Sequence, residues 1–219
     1  YDGLGLPRPE FAHISMILGP DKTRLSKRHG ATSVLAYRDM GYLPEAVINY
    51  LARLGWSHGD QEIFSRQEMT QHFSLENITT SAAIFNPEKL QWLNQQYIQN
   101  TDPIKLAEQL EPFLIKEGVL IEQHGLSIKE IAKPIPSLNQ RSQTLIEMAQ
   151  KSAFYFKKDL TFDEKARDKF LNKEIKPHIE KLITGINDMT LFEHDPLENL
   201  LKKLAEEAGL KLGKLAQPV

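Results

Sequence analysis

Not one of the 219 residues is a cysteine. That excludes a disulfide framework, a thiolate nucleophile and a cysteine-based zinc site, and it suits a reducing cytosol. No signal peptide and no apolar run of bilayer length occurs, so the expected location is the cytoplasm. Neither sign of charge dominates: 27 Lys and Arg stand against 29 Asp and Glu, a net charge of −2. A nucleic-acid contact would therefore have to come from local patches, and the bulk charge mildly disfavours one. Disorder-type composition is missing as well, and 41% hydrophobic residues fit one or two folded domains with room for a core.

What is present is a concentrated basic stretch, Lys22 to Gly30 (KTRLSKRHG), in which Lys22, Arg24, Lys27, Arg28 and His29 surround the hydroxyl of Ser26 with no acid between them. An apolar segment, Phe11 to Leu18, leads into it through the turn Gly19-Pro20-Asp21, and helix-like sequence follows Thr32 and Ser33. The basic run thus falls on a strand-to-helix connection, where phosphates are commonly held. A short Lys and Arg run alone more often marks a solvated face than a site.

The surrounding residues separate the two readings. Arg24-Leu25-Ser26-Lys27-Arg28 resembles the class I signature loop of the bacterial glutamyl-tRNA synthetases, KMSKS in general form and KLSKR in that family. The resemblance continues without a break through His29 to Phe64 and Phe85 to Asn94, then thins beyond Tyr97 to scattered matches, the clearest being RSQTLIEMA (Arg141 to Ala149) and the aromatic trio Phe154-Tyr155-Phe156. One position departs: the first Lys of the signature is Arg24, which keeps the charge and loses the compact ammonium. The HIGH motif of the family's dinucleotide-type catalytic domain has no counterpart in the chain. Together with the start at Tyr1 and the stop at Gln217-Pro218-Val219, this makes both ends look cut.

Periodicity predicts helices throughout. Thr32-Ser33 caps a first helix with Val34, Leu35 and Tyr37 inward and Gly41 at its end, and Pro44 opens a second, with Ala46, Val47, Tyr50, Leu51 and Leu54 on one face. Tyr50 and Trp56 are expected to be plain core. Ser65 to Glu68 is a capping box for a third helix, and Asn86-Pro87 starts a fourth, with Leu90, Leu93 and Tyr97 on one side and Lys89 and Gln95 on the other. Asp102-Pro103 is a fresh start, followed by expected helices over 103–117, 127–133, 138–156, 162–184 and 196–208, with capping-box spacing at Ser127/Glu130 and Thr161/Glu164. No segment alternates with period two for long enough to be a convincing strand. The expected fold is mostly α: residues 1–31 the end of an α/β catalytic domain, 32–100 a helical stem-contact domain, and 101–219 an all-helical anticodon-binding domain, C-terminally incomplete.

The resemblance implies part of a glutamate–tRNA ligase, with tRNA(Glu), ATP and glutamate as partners, magnesium-bound ATP held mainly by the missing half, and a monomer. The alternatives are a stand-alone tRNA-binding module or a helical interaction scaffold. Lys27, Ser26 and Arg28 are the expected catalytic residues, and Arg24, Leu25, Ser26, Lys27, Arg28 and His29 the ATP loop. Arg141, Lys89 and Asn94 are expected at the tRNA, with Arg141 in the first turn of its helix, placed to reach the third anticodon base. No metal-ligand spacing is visible, and His58, His72, His124, His178 and His194 read as ordinary surface or core residues. The pairs Lys157-Lys158 and Lys202-Lys203 could meet phosphate, though such pairs are mostly solubilising.

Overall fold

The computed structural model describes residues 1–26, 28, 33–157 and 164–217. Thr32, Lys158 and Thr161, which the sequence marks as caps or phosphate contacts, lie outside the described residues. The chain divides into two compact units, Tyr1–Lys158 and Asp159–Val219.

In the first unit a short parallel ladder joins β1 (Ile17–Leu18) to β2 (Ala83–Ile84), pairing Ile17 with Ala83 and Leu18 with Ile84. The apolar lead-in joins the ladder only at its end, and Phe11 and Ile14 before it are 84% and 74% exposed. Helices follow: α1 (Val34–Asp39), α2 (Pro44–Gly55), α3 (Arg66–His72), α4 (Pro87–Asn100), α5 (Pro103–Lys116), α6 (Ile128–Ala132), α7 (Ile135–Leu138), α8 (Leu145–Lys151) and α9 (Ala153–Phe156). The expected caps operate. Ser65 and Ser127 form full capping boxes with Glu68 and Glu130, Asn86 accepts from Lys89 N, and Asp102 accepts from Ile104 N and Lys105 N. Each satisfies N–H groups that a helix start leaves without partners.

Three expectations need correction. Val34 and Leu35 are 63% and 59% exposed: α1 has only 6 residues, and the stripe that packs falls on Ala36 and Tyr37. Leu51 is likewise 45% exposed. The expected single helix over 138–156 is broken, because the chain leaves α7 through a 3-10 turn (Asn139–Arg141) and restarts at Thr144, whose hydroxyl caps Glu147 N while Glu147 accepts from Gln143 N. Thr144 and Glu147 have capping-box spacing, and that signal outweighs the continuous apolar periodicity.

Packing also crosses the expected boundary near residue 100. Leu43, Ala46 and Ile98 share one core with Leu106, Leu110, Leu114, Ile131, Ile135, Leu145 and Met148. A polar joint locks this merger. The fully buried Asn94 accepts from Leu43 N (2.8 Å) and donates to Gln143 O (2.6 Å), so its amide bridges the α1–α2 turn and the approach to α8. Beside it Leu145 N donates to Gly41 O (2.9 Å). Gly41 has φ +82°, and a Cβ there would lie 2.8 Å from Ile146 N and 2.9 Å from Leu145 N. The glycine expected as a helix terminator is thus also required by the close approach of α8. A second buried amide, Asn49, donates to Glu62 O (2.9 Å) and accepts from Phe64 N (2.7 Å) and the Tyr97 hydroxyl (3.0 Å), tying α2 to α4. Burial pushes the Tyr97 phenol up to about 12, so it stays a donor throughout the physiological range. Tyr50 and Trp56 are core, 3% and 2% exposed.

The second unit contains α10 (Glu164–Phe170), α11 (Lys176–Asn187), α12 (His194–Glu207) and α13 (Leu212–Ala216). The expected helix over 162–184 is interrupted where Asn172 Oδ1 accepts from Glu174 N and Ile175 N, a local turn that competes with helix continuation. Leu182, Ala205 and Leu215 form the buried seam. At Gly185 a Cβ would lie 2.8 Å from Leu200 Cδ1, so the glycine lets α11 and α12 approach closely.

Replacing Asn94 by Ala strands a buried N–H and a buried carbonyl at once. The expected cost is about 2–4 kcal/mol of stability, measured by urea unfolding of the chain. A loss below ~0.5 kcal/mol, the level of a neutral surface change, would show that the joint is not a support.

Candidate functional site

The basic loop begins as a tight reversal of β1. Gly19 N donates to Thr23 O (2.8 Å), Lys22 N to Gly19 O (2.9 Å) and Leu25 N to Ile17 O (2.9 Å), while Leu18 and Arg24 form an antiparallel bridge. Lys22 sits at the tip with φ 60°, a left-handed conformation that a side-chain-bearing residue adopts only where the turn demands it. Asp21 supports that turn by accepting from Thr23 N (3.0 Å) and Thr23 Oγ1 (2.8 Å). Arg28 reaches back onto the same group, with Nη2 2.7 Å from Thr23 Oγ1 and 3.4 Å from Asp21 Oδ2.

Leu25, the apolar member of the signature, packs with Ile17 against the cluster of Tyr50, Phe85, Leu90 and Leu93. The loop is therefore pinned on one side by an apolar anchor in the α2–α4 core and on the other by the Arg28 bracket on the turn. Arg24 is exposed and lines, with His13, Met16 and Thr80, a recess of ≈820 Å³. Ser26 is half-buried between the two anchors. Lys27 and His29 lie outside the described residues. Of the expected loop residues, Arg24, Leu25, Ser26 and Arg28 are brought together here. The expected turn Gly19-Pro20-Asp21 is completed by Thr23, and Asp-x-Thr after Gly-Pro is a recognisable Asx-turn signal.

The three residues expected at the tRNA have different surroundings. Lys89 is exposed at the start of α4 and pairs with Glu62 (2.9 Å), which also takes Arg53 Nη2 (2.9 Å); the Arg53 guanidinium, with Lys89 adding, holds the Glu62 carboxyl below its ordinary value. Asn94 presents no surface at all. It is completely buried with both ends of its amide committed to backbone, so the expected contact is corrected to a structural joint. Arg141 is exposed, but it ends the 3-10 turn instead of lying in the first turn of α8, three residues before the Thr144 cap. Its carbonyl accepts from Lys151 Nζ.

The histidines are structural or peripheral. His124 accepts from Leu126 N and lies 3.2 Å from Glu111 Oε1, and His58 stacks on His72 with centroids 4.2 Å apart. Among the described residues no group of three His, Cys, Asp or Glu side chains could hold a metal ion, and no helix is long and apolar enough to cross a membrane.

If Leu25 anchors the loop, Leu25→Ala should cost about 1–2 kcal/mol, part of the price of a full core truncation because the side chain is only partly buried. It should also speed tryptic cleavage after Arg24 and Arg28 severalfold relative to sites elsewhere. An unchanged cleavage pattern would contradict the anchor.

Comparison with known proteins matches both parts of the chain. A family described as tRNA synthetases class I (E and Q), catalytic domain, matches residues 1–92, and one described as anticodon binding domain matches residues 105–219. The glutamate–tRNA ligase of Geotalea uraniireducens is 51% identical over 218 residues, 100% of this chain and 46% of that relative. That of Syntrophotalea carbinolica is 50% identical with the same coverage. A crystal structure of a glutamate tRNA ligase from Elizabethkingia meningosepticum in complex with its amino acid superposes with a TM-score of 0.78 at 32% identity, covering 100% of this chain and 46% of the other. The similarity extends beyond Tyr97 through the whole chain, which spans about half the length of the curated relatives it matches. With an anticodon-binding match over residues 105–219, more than half of its length, the chain belongs to the anticodon binding domain family, and residues 1–92 are similar to the catalytic domain of class I (E and Q) tRNA synthetases.

Proposed function

We propose that this chain supplies the signature ATP loop and the tRNA-binding helices of a glutamate–tRNA ligase. The observation that carries the reading is the placement of the loop. Arg24 bridges to the strand, Leu25 is anchored in the core of α2 and α4, and helices of the matched families follow in the sequence. A stand-alone RNA-binding module has less support, because Ser26 and Lys27 are both retained.

In the reaction, the carboxylate of glutamate attacks the α-phosphorus of ATP and the bond to pyrophosphate breaks; a hydroxyl of the terminal ribose of tRNA, losing its proton, then attacks the acyl carbon of the aminoacyl-adenylate, and the acyl–phosphate bond breaks to release AMP. Negative charge develops on the departing pyrophosphate. An ammonium at Lys27, with backbone N–H groups beside it, meets that charge as it forms, which is where a fixed cation accelerates a reaction most. Ser26 is short enough to donate to a phosphate oxygen without holding the loop open. Arg28, bracketed to Asp21 and Thr23, sets the loop's path, and Arg24 extends the positive surface along the recess. Magnesium would accompany ATP, but the described residues contain no donor set that fits it, so no step here depends on it. Because nothing like HIGH occurs in the chain, it is expected to fold and bind RNA without activating glutamate alone.

On the tRNA side, Lys89 meets the inner stem and Arg141 the anticodon loop. The place of action is the cytoplasm, and the working state a monomer. Filter binding of the chain to tRNA(Glu) and to a non-cognate tRNA across salt concentrations tests the reading. Cognate preference with falling affinity at rising salt is expected, and equal weak binding to both would leave only a helical scaffold. In the intact ligase, Lys27→Ala should slow adenylate formation roughly 100- to 1,000-fold with little change in glutamate binding. An unchanged single-turnover rate would make the loop a bystander.

A further inference from the structure

Helix α9 carries a surface feature that the packing of its unit does not explain. Phe154 and Tyr155 are 56% and 46% exposed, with ring centroids 4.1 Å apart and planes inclined by 34°. Phe156, the third of the trio, packs against the helical core. Leaving two adjacent aromatic side chains in water forgoes burial that the neighbouring residue obtains. Nor is the pair loosely held, because the Tyr155 hydroxyl lies 2.7 Å from Ser137 Oγ.

Four residues away on each side of that contact, Lys151 Nζ donates to the carbonyl of Arg141. The bridges 137–155 and 141–151 run antiparallel, so they lay the 3-10 turn that ends at Arg141 alongside α8 and α9. The local charge is positive. Residues 128–157 carry Lys129, Lys133, Arg141, Lys151 and Lys157 against Glu130 and Glu147, five cations less two anions or +3, in a chain of net charge −2. Both acids are engaged, Glu130 in its capping box and Glu147 with Lys151 and Gln143 N.

We propose that Phe154 and Tyr155 form a stacking platform for an unpaired RNA base, with Lys157 on the neighbouring phosphate and Arg141 beside the base edge. This rests on the tRNA-binding reading and names residues that it leaves unassigned. Exposed aromatics flanked by cations suit single-stranded RNA, since every base offers a π-face while the cations follow the backbone. A protein partner fits less well, because interface cores are depleted of charge and this patch is only two rings wide.

Filter binding of the full chain to tRNA(Glu), over a salt series, tests the platform. Phe154→Ala should weaken binding roughly 5- to 100-fold with an unchanged salt slope, because a stacked base releases no counterion. Phe154→Trp should bind at least as well as the original. Tyr155→Phe, which keeps the ring and loses the Ser137 contact, should stay within about threefold. Should Phe154→Ala fail to fold, Phe154→Leu keeps the apolar bulk without the π-face and should show the same loss. Tight binding by the unaltered chain with no loss in either variant would overturn the platform and leave tRNA binding intact. No binding by the unaltered chain would overturn both. An equal loss on a fully duplex RNA, or self-association in sedimentation that Phe154→Ala abolishes, would also overturn it.

Discussion

The buried amide of Asn94 is the constraint on which the arrangement of the first unit depends. A side chain that is fully enclosed must find partners for both ends of its amide, and here the partners are backbone groups 51 residues before it and 49 after it. Satisfying them sets the distance between the α1–α2 turn and the start of α8, and the Leu145 to Gly41 hydrogen bond closes the same joint from the other side. Apolar packing alone tolerates small slides between helices, whereas hydrogen bonds aimed at particular backbone atoms do not. Helices matched to two sequence families therefore share one core, and the family boundary between residues 92 and 105 is not a break in packing.

That shared core gives the basic loop a physical connection to the helices behind it. Leu25 packs on the cluster that contains Leu90 and Leu93 of α4, and α4 also carries Lys89 on its surface and Asn94 in its interior. Two neighbouring turns of one helix thus support the loop, present a cation and hold the joint. Under the function proposed above, such a helix is a rigid reference between the loop and bound RNA. The Arg53–Glu62–Lys89 network stiffens its first turn from outside.

Most individual elements were legible from the residues. Caps and prolines predicted the starts of α2, α3, α4, α5 and α6 to within a residue or two, because those signals act over three or four residues and owe little to the rest of the fold. The helices that failed did so where two local signals competed. Apolar periodicity ran straight through Thr144 and Asn172, but in each case a short polar side chain satisfied nearby N–H groups and ended one helix in order to start another. Val34 and Leu35 misled for a different reason, since a single helical turn or two carries too little periodicity to say which side will be covered.

The signature loop shows the same division. Its position, its charge and its family were determined by the residues from Arg24 to Arg28 and the text around them, and so was the helical character of nearly everything after Ser33. Only the tertiary structure decided that Leu25 is an anchor and Arg28 a bracket, that Asn94 supports the interior, and that Phe154 and Tyr155 stand out in solvent. The reason is one of range. Charge, capping and periodicity are properties of a few consecutive residues, whereas burial and partnership depend on which distant residues arrive alongside, and Asn94 meets its partners across half a hundred residues in each direction.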